Sequence, residues 1–351
     1  MSIPTMEGIT AKTISTNRIS TRVLFSGPDG GIPVLFLHGN VSTATWWEAT
    51  MVALPAGYRG FAPDQRGFGE AESEKKIDAT NGMGNLADDA LALLDYLGIE
   101  KAHIVGNSLG GMVVWRMMAD YPERFLTVTL VDTGSPYGFG GTKDVDGTPC
   151  YLDFAGSGGG LTNPELARRI KEGDRTLESQ FSPRAAIRML LVKPPFVPAR
   201  EEELLSSLLA SHIGDQDVPG DSEKSPNWPF VAPGKWGATN ATSPKYAVDV
   251  ETILAAEPKL SVLWIRGKDD MVVSDSAASD PGFLGKAGLI PGWPGEQVYP
   301  PQPMLGQTRA VLEKYIVAGG NYQEVVINDS GHLPFIEKPE EFNRAFHAHI
   351  K

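Results

Sequence analysis

The chain has one cysteine, Cys150, among 351 residues. That excludes an internal disulfide and any metal cluster built from several thiolates. It has no surplus of basic residues: 31 Lys and Arg stand against 43 Asp and Glu, a formal charge of −12. A surface of that sign repels phosphate backbones, so nucleic acid is not an expected partner. No apolar run approaches the roughly 18 residues needed to cross a bilayer. The first twenty residues, MSIPTMEGITAKTISTNRIS, contain no apolar stretch of the kind a secretory leader carries. The expectation is therefore a cytoplasmic protein with no membrane partner. Internal repeats, dinucleotide or P-loop glycine motifs and clusters with metal-ligand spacing are also missing, so neither a cofactor nor a metal is expected. A chain of this length can bury a large core without staples, as two or three domains or as one large α/β domain with an insertion.

What is present is an alternation of strands and helices. Val34-Leu35-Phe36-Leu37, Gly60–Asp64, Ala102–Val105 and Leu126–Val131 read as strands, the first a short apolar run of the kind buried on both faces and the last β-branched. Between them, Leu86–Leu97 has helical spacing and stops at Gly98, and Leu109–Tyr121 is helical up to Pro122. This pitch predicts βαβ units and a parallel sheet. From Ser135 to about Pro258 no clear strand is predicted. Helical pieces (164–171, 183–192 and 201–211) alternate there with Gly-, Pro- and Trp-rich stretches. The β/α pattern resumes with strands at 260–265 and 325–327 and a closing helix over 339–350. The expected organisation is a core over 1–134 and 259–351, with a helical, loop-rich insertion over 135–258. A second Pro/Gly-rich loop, Ser274 to Met304, directly follows the loop Arg266–Val272 that ends the first of these later strands, and is placed to narrow an entrance.

The strongest chemical signal is Gly106-Asn107-Ser108-Leu109-Gly110, a G-x-S-x-G pentapeptide between an apolar strand and an apolar helix. Such glycines allow a sharp turn that lifts Ser108 Oγ above the sheet edge, over free N–H groups at a helix start. A chance glycine turn is the plainer alternative. A serine needs a base. Of six histidines, His332 lies in a loop just after the last apolar strand, at the sheet edge toward which Ser108 points. His347 and His349 fit a solvated helix face, His103 a core position and His212 the insertion, while His38 fits a bracing role in its loop. The imidazole needs a carboxylate partner. Asp270 is favoured, with Asp269 and Asp132 as alternates, although aspartates also commonly cap turns after strands. For an oxyanion, the N–H groups of Asn40, after His38-Gly39, and of Leu109 are the expected donors.

Taken together, the His38-Gly39 pair, the loop Asp64-Gln65-Arg66-Gly67-Phe68-Gly69, the elbow at Ser108, the G-x-x-D loop ending at Asp270, and Ser330-Gly331-His332 with Pro334 and Glu337-Lys338-Pro339 after it resemble the α/β-hydrolase superfamily, in order and over nearly the whole core. The resemblance implies an α/β-hydrolase fold, with a mostly parallel central sheet flanked by helices and a helical cap inserted after Val131. His38-Gly39-Asn40 with Trp46 is similar to the corresponding loop of haloalkane dehalogenases. Those enzymes and the related epoxide hydrolases use an aspartate nucleophile where this chain has Ser108. Gly106-Asn107-Ser108-x-Gly110-Gly111 resembles carbon–carbon bond hydrolases, which carry a glycine-rich stretch after the HG that this chain lacks.

The implied reaction is hydrolysis of a carboxylic ester or lactone of a small to medium acyl substrate. An amide or carbon–carbon bond hydrolase and a non-catalytic small-molecule receptor remain alternatives. Trp46, Met112, Trp228 and Trp236 are apolar candidates for a substrate pocket, with plain packing as the alternative for each.

Overall fold

The computed structural model describes residues 3–351; Met1 and Ser2, which open the N-terminal stretch read above, lie outside the described residues. The centre is an eight-stranded sheet. Its strands are β1 (Thr10–Ser15), β2 (Ser20–Ser26), β3 (Ile32–Leu37), β4 (Tyr58–Pro63), β5 (Ala102–Asn107) and β6 (Phe125–Val131). Four short strands follow, β7 (Ile213–Gly214), β8 (Val218–Pro219), β9 (Ser222–Lys224) and β10 (Val231–Pro233), and then β11 (Ser261–Gly267) and β12 (Asn321–Ile327). The sheet order is β1-β2-β4-β3-β5-β6-β11-β12. β1, β2 and β4 pair antiparallel, and every pair from β4 to β12 is parallel.

Alternation along the central strands builds two cores. Leu35, Leu37, Ile104, Val128, Leu130, Val262 and Trp264 face the helices Gly84–Tyr96, Leu109–Asp120 and Met304–Val317. Val34, Phe36, Val105, Leu263 and Ile265 face Trp47, Phe335, Phe342 and Phe346 on the other side. With both faces covered, these strands are mostly apolar, and the histidine among them, His103 on β5, pairs through Nδ1 with Thr127 Oγ1 on β6 at 2.8 Å. Fully burying side chains such as Phe36 or Leu37 contributes about 1.5–3 kcal/mol each.

Between β6 and β11 the chain leaves the sheet. The helices Pro164–Lys171 and Glu201–Leu209 form as expected, but two features differ from the sequence reading. The helix expected over 183–192 is one α-turn, Pro183–Ala186, running into a π-turn, Ile187–Leu191. The stretch expected to lack strands contains β7–β10, paired as two ribbons. Strands of two or three residues are too short to show a period of two, and Pro219, Pro229 and Pro233 mask them. The insertion packs on both cores: Leu204, Leu205 and Leu208 join Trp46 and Trp47, and Val218, Ala238 and Ile253 join the opposite cluster. The loop from Ser274 to Met304 contains a short helix, Pro281–Lys286, and is anchored to the insertion through Tyr299, whose hydroxyl donates to the Gly156 carbonyl at 3.0 Å. Among the described residues no helix is long and apolar enough to cross a membrane.

Candidate active site

The parallel strands β3, β5, β6, β11 and β12 end at one edge, and the chemistry-bearing residues follow those ends. Ser108 closes β5 and opens the helix Leu109–Asp120 with φ 54° and ψ −118°, a region costly for any residue with a Cβ. The turn is held from both sides. Ser108 N–H donates to the Val131 carbonyl at 3.0 Å, and Met112 N–H donates to the Ser108 carbonyl at 3.2 Å. Gly110 is required by close approach, because a Cβ there would lie 2.6 Å from the His38 carbonyl oxygen. Ser108 remains partly exposed on this turn.

His332 is almost fully buried, and its Nδ1 lies 2.8 Å from Asp270 Oδ2. Asp270 Oδ1 accepts the N–H groups of Val272 (2.7 Å) and Val273 (3.1 Å), which fix the carboxylate in its turn. The His332 ring is thereby oriented with Nδ1 toward the acid, leaving Nε2 for a proton from elsewhere. The link to the elbow is the Asn107 amide, which donates to the Val131 carbonyl (3.2 Å) and the His332 carbonyl (3.4 Å). Ser108 and His332 are thus carried on adjoining segments.

The alternates differ in surroundings. Asp269 is exposed and pairs with Lys193 Nζ at 3.0 Å. Asp132, at φ 40°, is 2 % exposed and sits inside the site. Its Oδ1 accepts Gly267 N–H at 2.9 Å, and its Oδ2 is buried without a partner. One oxygen from each of Asp132 and Asp270 and a ring nitrogen of His332 lie within 4.8 Å of one another. Burial, with the adjacent Asp270 second, holds the Asp132 carboxyl well above the usual 3.8. Such a trio has metal-ligand residue types, but the facing atoms of Asp270 and His332 are already bonded to each other, which leaves Asp132 Oδ2 as the one open ligand atom between them among the described residues, too few for a small divalent ion.

At the facing loop, neither Asn40 N–H nor Leu109 N–H has a hydrogen-bond acceptor among the described residues. The next residue, Val41, sits at φ 46°, with its N–H on Asn40 Oδ1 at 3.0 Å. His38 braces this loop: Nε2 accepts Gln65 N–H (2.9 Å), and Nδ1 faces the Gly39 carbonyl (2.9 Å) and Ser42 Oγ (3.2 Å). Burial pushes it down to about 4, so it is neutral near pH 7. Asp64 ties the same region together, accepting Ala44 N–H and Glu70 N–H at 3.0 Å each. Arg66 makes a two-pronged bond to Asp89 at 2.8 Å on both arms.

Three residues matter here for reasons a linear reading does not supply. Glu337 gathers the His332 loop, with Oε1 accepting Gly331 N–H (2.9 Å) and Oε2 accepting Lys193 N–H (2.8 Å). Gly267 lets that loop pass against the Asp270 loop, since a Cβ there would overlap the Gly331 carbonyl. Leu191 accepts His332 N–H at 2.9 Å, so the insertion holds the His332 loop directly. Glu337 and Gly267 stand in the motifs that carry the family resemblance, but their parts in holding the two loops are visible only in the structure.

The four apolar candidates do not converge. Trp46 is buried with Trp47 and the insertion helix, its indole N–H unpartnered. Met112 lines a void of about 10 Å³ with Met83, Trp115 and Tyr246, in which no other candidate takes part. Trp228 stacks edge-on to Tyr299 at 4.9 Å and donates to the Pro291 carbonyl. Trp236 is half-buried, its N–H on Asp221 Oδ1 at 2.8 Å.

Comparison with known proteins adds the following. A family model described as alpha/beta hydrolase fold matches residues 32–147. An epoxide hydrolase 2 from Siraitia grosvenorii is 37% identical over 120 residues, 34% of this chain and 37% of that one. A 2-hydroxymuconate semialdehyde hydrolase from Pseudomonas sp. (strain CF600) is 29% identical over 206 residues, 50% of this chain and 72% of that one. The chain spans less than half the length of several curated relatives that it matches. Carboxylesterase CesB from Bacillus subtilis superposes with a TM-score of 0.59 at 15% identity, covering 97% of this chain and 91% of that one, a likeness of fold alone.

Proposed function

We propose that this chain, whose residues 32–147 match a family model described as alpha/beta hydrolase fold, is a serine hydrolase that cleaves a carboxylic ester or lactone of a small to medium acyl compound through an acyl-enzyme. The reading rests on one observation: a buried imidazole bonded through Nδ1 to Asp270 at 2.8 Å, on a loop joined to the strained turn that bears Ser108. In this mechanism His332 Nε2 takes the proton of Ser108 Oγ as the oxygen attacks the acyl carbon. Asp270 holds the ring in the correct tautomer and stabilises the imidazolium. The oxyanion is received by the N–H of Asn40, on the facing loop, and by that of Leu109, at a helix start where free donors act strongly. His332 then protonates the leaving oxygen, and water repeats the sequence on the acyl-enzyme. No cofactor takes part. Residues 135–258 serve as the cap over this edge, the substrate is a small molecule, and the setting is cytoplasmic.

Ser108 occupies the nucleophile position, which in epoxide hydrolases is an aspartate, and this favours acyl chemistry over epoxide opening. A second reading, carbon–carbon bond hydrolysis, is favoured by the semialdehyde hydrolase relative and by the Gly106-Asn107-Ser108-x-Gly110-Gly111 elbow. A panel of p-nitrophenyl esters, a lactone series and a vinylogous diketone separates the two. The expected result is a p-nitrophenol burst followed by turnover, reduced about 10³-fold or more by Ser108→Ala. Near-normal turnover in that variant, or binding of the panel without turnover, would overturn the proposal.

A further inference from the structure

Two carboxyl groups meet behind the His332 ring, and among the described residues no Lys or Arg side chain is bonded to either. Asp270 accepts three N–H donors: those of Val272, Val273 and the imidazole. Asp132 accepts one, from Gly267, and its second oxygen is enclosed with no donor. The backbone at Asp132 is held in a left-handed conformation, φ 40°, by a bond from its own N–H to the Ile265 carbonyl at 3.0 Å. An ionised oxygen in that position would be both desolvated and pressed against a second negative charge. The titratable groups facing it are Asp270 and His332, from the loops after β11 and β12, and Glu337 beyond them, another buried carboxyl. A proton shared between the two acids removes the conflict, and the unequal number of donors decides which acid carries it.

We propose that Asp132 is a positioning residue that stays protonated at neutral pH, donates its Oδ2–H to Asp270, and takes over as the partner of His332 when Asp270 is lost. This deepens the serine-hydrolase reading above and rests on it. The proton stays on Asp132 throughout turnover. It gives Asp270 a fourth donor and fixes the oxygen that faces the imidazole. If the residue at 270 is made neutral, the negative charge pressed against Asp132 is gone and only burial and the more distant Glu337 oppose its ionisation; its oxygen, within 4.8 Å of a ring nitrogen, can then accept from His332.

The test uses the best ester of the panel and the full chain. Asp132→Leu should lower kcat about tenfold, the scale of one hydrogen bond to a charged group, with KM unchanged. Asp132→Asn, whose amide can still donate, should recover most of that loss. Asp270→Asn should retain at least about tenfold more activity than Asp132→Asn/Asp270→Asn, with the excess growing as pH rises. Equal activity of these last two at every pH, or no recovery by Asp132→Asn over Asp132→Leu, would overturn the proposal. A second measurement needs no activity. The infrared difference between wild type and Asp132→Asn at pH 7 should contain the C=O stretch of a protonated carboxyl, and its absence would also overturn the proposal. Because that band reports the proton alone, full turnover by Ser108→Ala would remove the hydrolase reading while the band still decided where the proton sits.

Discussion

The backbone at Ser108 stores strain that a pair of substitutions can measure. At φ 54° and ψ −118° a Cβ crowds its own peptide, at a cost of about 1–3 kcal/mol. Ser108→Ala keeps the Cβ and the strain. Ser108→Gly releases the strain but costs about 0.4–1 kcal/mol in the entropy of the unfolded chain. Both lack the hydroxyl, so its contribution cancels, and loss of the Cβ of this partly exposed residue subtracts only a few tenths more. The glycine variant should therefore be more stable than the alanine variant by about 1 kcal/mol. Unfolding entropy of about 2.1 cal/mol/K per residue over 351 residues amounts to roughly 0.7 kcal/mol/K. The expected difference in Tm is thus only about 1–3 °C, resolvable by calorimetry on matched samples. A glycine variant no more stable than the alanine variant would refute the claim that the elbow is strained.

Two further perturbations test the neighbouring architecture. Gly267→Ala places a methyl group against the Gly331 carbonyl, with Ser330 O only 2.6 Å away. It should cost about 1–3 kcal/mol in urea unfolding and lower kcat more than stability, because the two loops it separates carry Asp270 and His332; wild-type behaviour on both counts would mean the loops are not in close contact. His38 has a folded value of about 4 against 6.5 when free. The unfolded chain therefore takes up the proton first, and stability falls as pH drops from 6.5 toward 4, by about 3 kcal/mol over the window. His38→Asn should flatten that part of the stability curve, and an unchanged slope between pH 6.5 and 4 would show that His38 is not buried as a neutral ring.

The parallel strands are legible in the sequence because helices cover both faces, so β3, β5, β6 and β11 are nearly continuous apolar runs. β1, TAKTIS, is not legible. It is an exposed edge strand whose only buried residue is Ile14, and nothing in its alternation marks a core. β12 is visible only at its apolar end, since Asn321–Glu324 lie at the opposite edge of the sheet. The helix Met304–Val317 is masked by the Pro-rich stretch before it and by buried Gln307 and Thr308 on its inner face. At the site, Ser108 and His332 stand out because motif and strand context agree. The aspartates do not separate, because each follows a strand end. Which carboxyl meets the imidazole depends on how the loops after β6 and β11 turn, and that turn is set by contacts such as Gly267 to Asp132 and Lys193 to Asp269, distant in the chain.

The central claim is that Ser108 is a nucleophile activated by His332. A fluorophosphonate that phosphonylates activated serines tests it without knowledge of the substrate. Peptide mapping by mass spectrometry should find one adduct per chain, on the peptide containing Ser108, and labelling should fall sharply in His332→Ala. An adduct on another residue, no adduct at all, or undiminished labelling in His332→Ala would contradict the account.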